Sequence, residues 1–232
     1  MTEQIIKQIQ QYLEMMKQSG LDVIGTTTAL SSEEKIGART NQGNVSNPKE
    51  VLLELQEIVT RCTKCSELAA TRKNVVFGSG HARAKLVFVG EAPGHDEDIQ
   101  GLPFVGRAGQ LLTKIIESIG FARQDVFICN VLKCRPSGNR NPLPHEISNC
   151  EPYLLKQLEI IRPKVICALG TFAAQTLLKT DVPISSLRGK FYEFHNAKLI
   201  CTFHPAYLLR NPQDKRKVWE DMKMIRTELA KE

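Results

Sequence analysis

Short, continuous Val/Ile/Leu runs separated by amphipathic stretches predict a three-layer α/β/α fold with a central, mostly parallel, four-stranded sheet flanked by helices. Three observations carry this. The segments 85–90, 125–131 and 164–169 each hold an unbroken apolar run (86–89, 126–129 and 165–169), the pattern of strands buried on both faces. The stretches between them, at 107–119, 145–161 and 171–179, repeat their apolar residues at the helical period. The length, 232 residues, suits one domain of ordinary size plus an appendage.

Taken in order, residues 2–17 place Ile5, Ile6, Ile9, Leu13 and Met16 at helical spacing, with Gly20 as a stop. The stretch 19–47 is rich in Thr, Ser, Gly and Asn and reads as a flexible linker. A leader of residues 1–49, helix plus linker, is therefore expected ahead of a domain spanning 50–232. The leader helix either binds a protein partner or packs back on the core. Residues 49–60 form an amphipathic helix (Val51, Leu52, Leu55, Ile58, Val59) that delivers Cys62 and Cys65 just past its end. After the central strands and helices, 191–194 and 198–203 read as a hairpin turning at 195–197. A helix at 214–230 carrying Trp219 closes the chain. No internal repeat is visible.

The seven cysteines show no disulfide spacing. The opening residues lack an apolar signal region, and no later apolar run reaches bilayer length. A reducing, cytoplasmic location follows, with no membrane partner and a monomeric chain as the expectation. Cys129, Cys167 and Cys201 each sit inside an apolar run and read as small hydrophobes in strands. The formal charge of +6 is uneven. Residues 1–50 hold five Lys/Arg against six Asp/Glu, leaving 26 against 19 for the rest. A basic core points to a polyanionic partner, although many ordinary cytosolic proteins are as basic.

The other four cysteines have ligand-like spacing. Cys62 and Cys65 form C-x-x-C; Cys134 and Cys150 lie sixteen residues apart amid turn formers. Four thiolates from two loops suit a tetrahedral zinc or an iron–sulfur cube, while four unrelated buried thiols are the plain alternative.

Ligands of parallel α/β sheets collect at the carboxyl ends of the strands. Three strands here end in unusual polar sequence: G-E-A-P-G-H-D-E-D at 90–98, Asn130, and H-P-A-Y-L-L-R at 204–210. All three are expected to meet in one crevice. Gly90 and Gly94 allow a sharp turn and close backbone approach, and neither a P-loop nor a dinucleotide fingerprint is present. Glu91 stands where a carboxylate can activate water, or is a solvated loop acid. His95, Asp96, Glu97 and Asp98 read as a solvated rim. Asn130 has an amide able to read the edge of a nucleobase, or it is a strand-end turn former. Phe104 offers a face for stacking on a base, or is core. His204, stiffened by Pro205, can support negative charge on a ligand oxygen, or is a buried structural histidine. Tyr207, Leu208, Leu209 and Arg210 combine apolar tips with a cation, as in loops that wedge into a duplex while holding phosphate. Lys215, Arg216 and Lys217 read as a solvated helix start.

Together these residues resemble the family-4, iron–sulfur class of uracil-DNA glycosylases. The resemblance spans roughly residues 50 to 230 and rests on G-E-A-P-G at 90–94, L-P-F-V-G-R-A-G-Q-L-L at 102–112, N-V-L-K-C-R-P at 130–136 and H-P-A-Y-L-L-R at 204–210. It implies that Cys62, Cys65, Cys134 and Cys150 ligate a structural 4Fe-4S cluster. It implies a uracil pocket of Gly90, Glu91, Ala92, Phe104, Asn130 and His204, and uracil-containing DNA, single- or double-stranded, as the partner. Phe104 would stack on a flipped base, Asn130 would bind its polar edge and His204 its O2 side. Glu91, His204 and Asn130 would carry the catalysis, and 207–210 would contact DNA.

Two positions depart from the best-known uracil glycosylases. Ala92 replaces their water-activating Asp, leaving Glu91 as candidate. Gly94 replaces the bulky aromatic that excludes thymine's methyl group. The stretch 137–142 holds no histidine of the kind through which a related branch links covalently to DNA, so no trapped adduct is expected. Two other classes of function remain: a non-catalytic nucleic-acid-binding module serving a DNA polymerase, and an electron carrier. The second leaves the crevice motifs without purpose.

Overall fold

The computed structural model describes residues 47–231. The helix expected over 2–17, and all of the linker except Asn47, lie outside the described residues. Asn47 belongs to the first helix: its side-chain oxygen accepts from the Lys49 amide and caps α1 (Pro48–Thr60).

Six strands form one sheet: β1 (Ser79–Gly80), β2 (Leu86–Gly90), β3 (Phe127–Asn130), β4 (Val165–Leu169), β5 (Phe191–Phe194) and β6 (Ala197–Thr202). Their spatial order is β1-β3-β2-β4-β6-β5. The four middle strands are parallel, as the apolar runs predict, and the two edge strands are antiparallel. The arms of the predicted hairpin are β5 and β6, joined through His195 and Asn196. His195 adopts φ 51°, as tight two-residue hairpin turns require. Strand β1 has only two residues and no apolar signature, which hid it from the sequence pattern.

Alternation along each middle strand sends side chains to two cores. Val87, Val89, Ile166, Ala168 and Leu199 face one core with α1, α5 (Pro144–Ile161) and α6 (Thr171–Leu178). Leu86, Phe88, Ile128, Cys167 and Ile200 face the other with α4 (Arg107–Ser118), α8 (Pro205–Arg210) and α9 (Lys215–Ala230). These are the three expected layers, each strand being buried on both faces. Four short helices had no period to reveal them: α2 (Ser66–Thr71), α3 (His95–Gln100), α7 (Ile184–Leu187) and α8. Cys129, Cys167 and Cys201 are fully buried in strands, as expected.

Strands β2 and β4 are neighbours, and the connection from β2 runs to β3 on one side while that from β4 runs to β5 and β6 on the other. Doubly wound sheets open a crevice at that point.

Candidate active site

The crevice at the strand ends gathers the three predicted segments. Glu91 and Ala92 from the end of β2, Phe104, Asn130 from the end of β3, and His204, Tyr207 and Arg210 after β6 all line it. Gly90 lies beneath the lining. It is paired in register with Asn130, and a Cβ on it would sit 2.3 Å from Asn130 Oδ1 and 2.6 Å from Phe104 Cζ. Glycine is thus what lets the amide and the ring close over the strand end.

Phe104 takes a left-handed backbone (φ 50°) in the loop before α4. Helix α4 approaches closely: a Cβ on Gly109 would lie 1.9 Å from the Phe104 carbonyl oxygen. The ring is mostly buried, yet it lines the crevice and lies 5.5 Å, centroid to centroid, from the His204 ring. Phe104 is therefore a core residue that also lines the crevice.

His204 caps α8. Its Nδ1 accepts from the Ala206 amide at 3.1 Å, so the proton of a neutral ring sits on Nε2. Burial, and then Arg210, push its pKa down to about 4, so the ring is neutral near pH 7. Asn130 is buried, and its Oδ1 has no hydrogen-bond partner, alone among buried side-chain oxygens and nitrogens of the described residues. An unmet buried amide costs about 1–3 kcal/mol. A ligand that donates to it recovers that loss. Burial pushes the Glu91 carboxyl up to about 6, leaving it ionised near pH 7 but more basic than a free carboxylate.

Two expectations need correction. Leu208 does not project as a wedge. It is 1% exposed and packed in the α4/α9 core, because α8 puts Pro205 and Leu208 on its inner face. Leu209 (39% exposed) and Arg210 are the residues that reach solvent, and the Tyr207 hydroxyl donates to Asp214. Nor are Glu97 and Asp98 a solvated rim. Asp98 is buried and accepts from the Lys73 and Asn74 amides, while Glu97 accepts from the Val105 and Gly106 amides. Glu97 thereby braces the loop bearing Phe104, and Asp98 holds the segment at 73–74; His95 and Asp96 are exposed as expected.

Pro136, Asn139 and Arg140, to which sequence reasoning assigned no role, also line the crevice, from the turn-rich segment after Cys134. Arg140 Nη2 reaches Glu146 Oε1 at 2.7 Å and Glu67 Oε1 at 3.3 Å, tying that segment to α5 and α2. No spacing rule places this segment at the crevice, since only the fold brings it beside Glu91 and His204.

Cys62, Cys65, Cys134 and Cys150 line one neighbouring cavity with Arg72, Asn149 and Tyr153. Cys65 caps α2, Cys134 follows β3, and Cys150 lies in α5. Three sulfurs receive N–H bonds: Cys134 from Arg72 Nη1 (3.0 Å), Cys150 from the Lys133 amide (3.3 Å) and Cys65 from Asn149 Nδ2 (3.7 Å). Burial raises both Cys134 and Cys150, the latter to about 11. Arg72 acts on Cys134, and Lys133 on Cys150, in the opposite direction. Among the described residues no three Cys, His, Asp or Glu side chains are grouped to hold a single metal ion. The four thiols instead surround a cavity. No helix among the described residues is long and apolar enough to cross a membrane.

Comparison with known proteins agrees with this geometry. Residues 77–223 match the model of the Uracil DNA glycosylase superfamily. A type-4 uracil-DNA glycosylase of Archaeoglobus fulgidus is 47% identical over 184 residues, covering 76% of this chain and 92% of that protein. One from Thermotoga maritima is 46% identical over 189 residues (79% and 98%), and one from Saccharolobus solfataricus is 44% identical over 181 residues (74% and 83%).

Proposed function

This chain belongs to the uracil-DNA glycosylase superfamily, in its type-4 group, and from that premise we propose that it excises uracil from DNA by hydrolysing the N-glycosidic bond. The observation that carries the proposal is the pairing, in one crevice, of an orphaned buried amide on Asn130 with a neutral His204 whose Nε2–H is free to donate. A flipped base stacks on Phe104 and meets the Asn130 amide along its polar edge. As the bond from C1′ to N1 breaks, its electron pair stays with uracil, and the negative charge spreads onto O2. His204 Nε2–H donates to that oxygen. A neutral donor stabilises the charge without having to surrender its proton. Water adds to the sugar cation at C1′, and its proton passes to the Glu91 carboxylate. The product is an abasic site.

At the mouth of the crevice, Leu209 takes the wedge role and Arg210 a phosphate, with Tyr207 packed behind them in α8. Gly90 and Ala92 give the base room.

The cysteine cavity fits a 4Fe-4S cluster. Its donors are four soft sulfurs around a void, with N–H groups aimed at three of them and two cations nearby. When bound, the group supplies a structural cross-link and no redox step. Cys62 and Cys65 anchor it to the α1–α2 junction, Cys134 to the segment beyond Asn130, and Cys150 to α5. The protein acts as a cytoplasmic monomer, with the residues ahead of α1 serving a protein partner and the catalytic domain running from α1 onward.

Incubation with a uracil-containing oligonucleotide followed by alkali tests the proposal. Strand cleavage at the uracil position supports it. Binding without cleavage would leave a non-catalytic nucleic-acid module.

A further inference from the structure

We propose that Lys133 is a positioning residue for uracil excision, holding Asn130 in place through a buried bridge. The inference rests on the assignment of Asn130 to the uracil pocket. Lys133 is 1% exposed, and its Nζ donates to the Asn130 carbonyl at 2.7 Å and to Gln157 Oε1 at 2.5 Å. Gln157 is fully buried in α5, and its Nε2 donates to the Phe77 carbonyl at 2.9 Å. The bridge therefore runs from the segment before β1, through α5, to the last residue of β3.

No carboxylate answers this amine. The titratable groups nearest it are the thiols of Cys129 and Cys150. A buried amine without an acid partner carries a heavy desolvation cost, and an apolar side chain of the same length would avoid it. Stability alone is a poor reason for a lysine here. The bonds it makes supply a better one. Beyond Asn130 the β2–β3 ladder ends, with the Val131 amide donating back to the Gly90 carbonyl. The Asn130 carbonyl points the other way, and the lysine holds it. That fixes the peptide plane from which the Asn130 side chain projects, with Oδ1 left unpaired at the crevice. Both Nζ bonds need only N–H donors, which the amine has whether or not it is protonated.

The decisive experiment is a double-mutant cycle under single-turnover conditions on a uracil-containing oligonucleotide, using the full chain with its visible absorbance and iron content measured alongside. Lys133→Met should lower the single-turnover rate about 10- to 100-fold, the scale of a misplaced reacting group. In an Asn130→Ala background the same change should cost less than about twofold, because the group being positioned is already gone. Absorbance and iron content should equal those of the wild type. Equal fold losses in both backgrounds, or loss of the iron–sulfur absorbance in Lys133→Met, would assign the lysine to folding or to the cysteine cavity and overturn the inference. Should Lys133→Met prove insoluble, Gln157→Leu removes one end of the bridge and leaves the lysine. It must show a smaller loss that again vanishes without Asn130, and additivity there overturns the inference equally. A wild-type protein inactive on uracil would overturn the excision reading itself, an outcome distinct from additivity in an active enzyme.

Discussion

Replacing Gly90 with alanine perturbs the crevice with a single methyl group. The added Cβ would stand 2.3 Å from Asn130 Oδ1 and 2.6 and 2.7 Å from two carbons of the Phe104 ring. To regain even 3.0 Å, the amide oxygen must retreat by 0.7 Å and the ring by 0.4 Å. Neither has slack, since both side chains are buried and Phe104 is pinned by the close approach of Gly109. Overpacking of this kind costs about 1–3 kcal/mol. At about 2–4 °C per kcal/mol, Tm should fall by roughly 2–12 °C. Displacing two substrate-contacting groups by 0.7 and 0.4 Å should lower kcat on uracil DNA by about 10- to 100-fold. Gly120→Ala is the matched control. It meets nothing within 4 Å but has φ +87°, so it carries backbone strain of about 1–2 kcal/mol away from the crevice. It should lower Tm and leave kcat unchanged. The assay is strand cleavage after alkali, with thermal unfolding of each variant measured in parallel. If Gly90→Ala kept kcat within about twofold of the wild type, the strand end would not set the positions of Asn130 and Phe104.

Three further perturbations address other parts of the site. His204→Ala removes the Nε2–H donor and should lower kcat by about 10²- to 10³-fold with little change in KM; unchanged turnover would remove histidine from leaving-group stabilisation. The pH profile should separate Glu91 from His204. The Glu91 carboxyl, pushed up to about 6, loses its ability to accept a proton as pH falls through that value, so kcat should fall on the acid side of about pH 6. His204, pushed down to about 4, stays neutral across that range, so Glu91→Gln should be slower by about 10²- to 10⁴-fold and lack the limb at 6; persistence of the limb would clear Glu91 of the base role. Cys150→Ser should lose iron and visible absorbance and lower Tm, and retention of full iron content would exclude Cys150 as a ligand.

The parallel core of the sheet was legible because strands buried on both faces must be continuously apolar, as 86–89 and 165–169 are. The crevice followed from topology: three polar motifs sit at strand ends, and the fold puts those ends side by side. What stayed hidden depends on contacts between distant positions. Leu208 looked like an exposed tip because H-P-A-Y-L-L-R reads as a loop. Yet Pro205 at the first turn and a histidine cap make it a helix, which turns Leu208 inward beside Pro205. Glu97 and Asp98 looked solvated as members of an acidic run, but backbone amides of two separate loops converge on them. Lys133 stood inside the motif at 130–136 with no role assigned to it, since a lone lysine after an apolar run is ordinarily a surface residue. Its partners Asn130 and Gln157 are neighbours only once β3 and α5 are packed.

Release of free uracil from a uracil-containing oligonucleotide by the wild-type protein, with thymine- and hypoxanthine-containing strands as parallel substrates, tests the central claim most directly. Uracil in the supernatant, together with an alkali-labile site at the same position, is the predicted result. An oligonucleotide that is bound but left intact, with no base released, would contradict it.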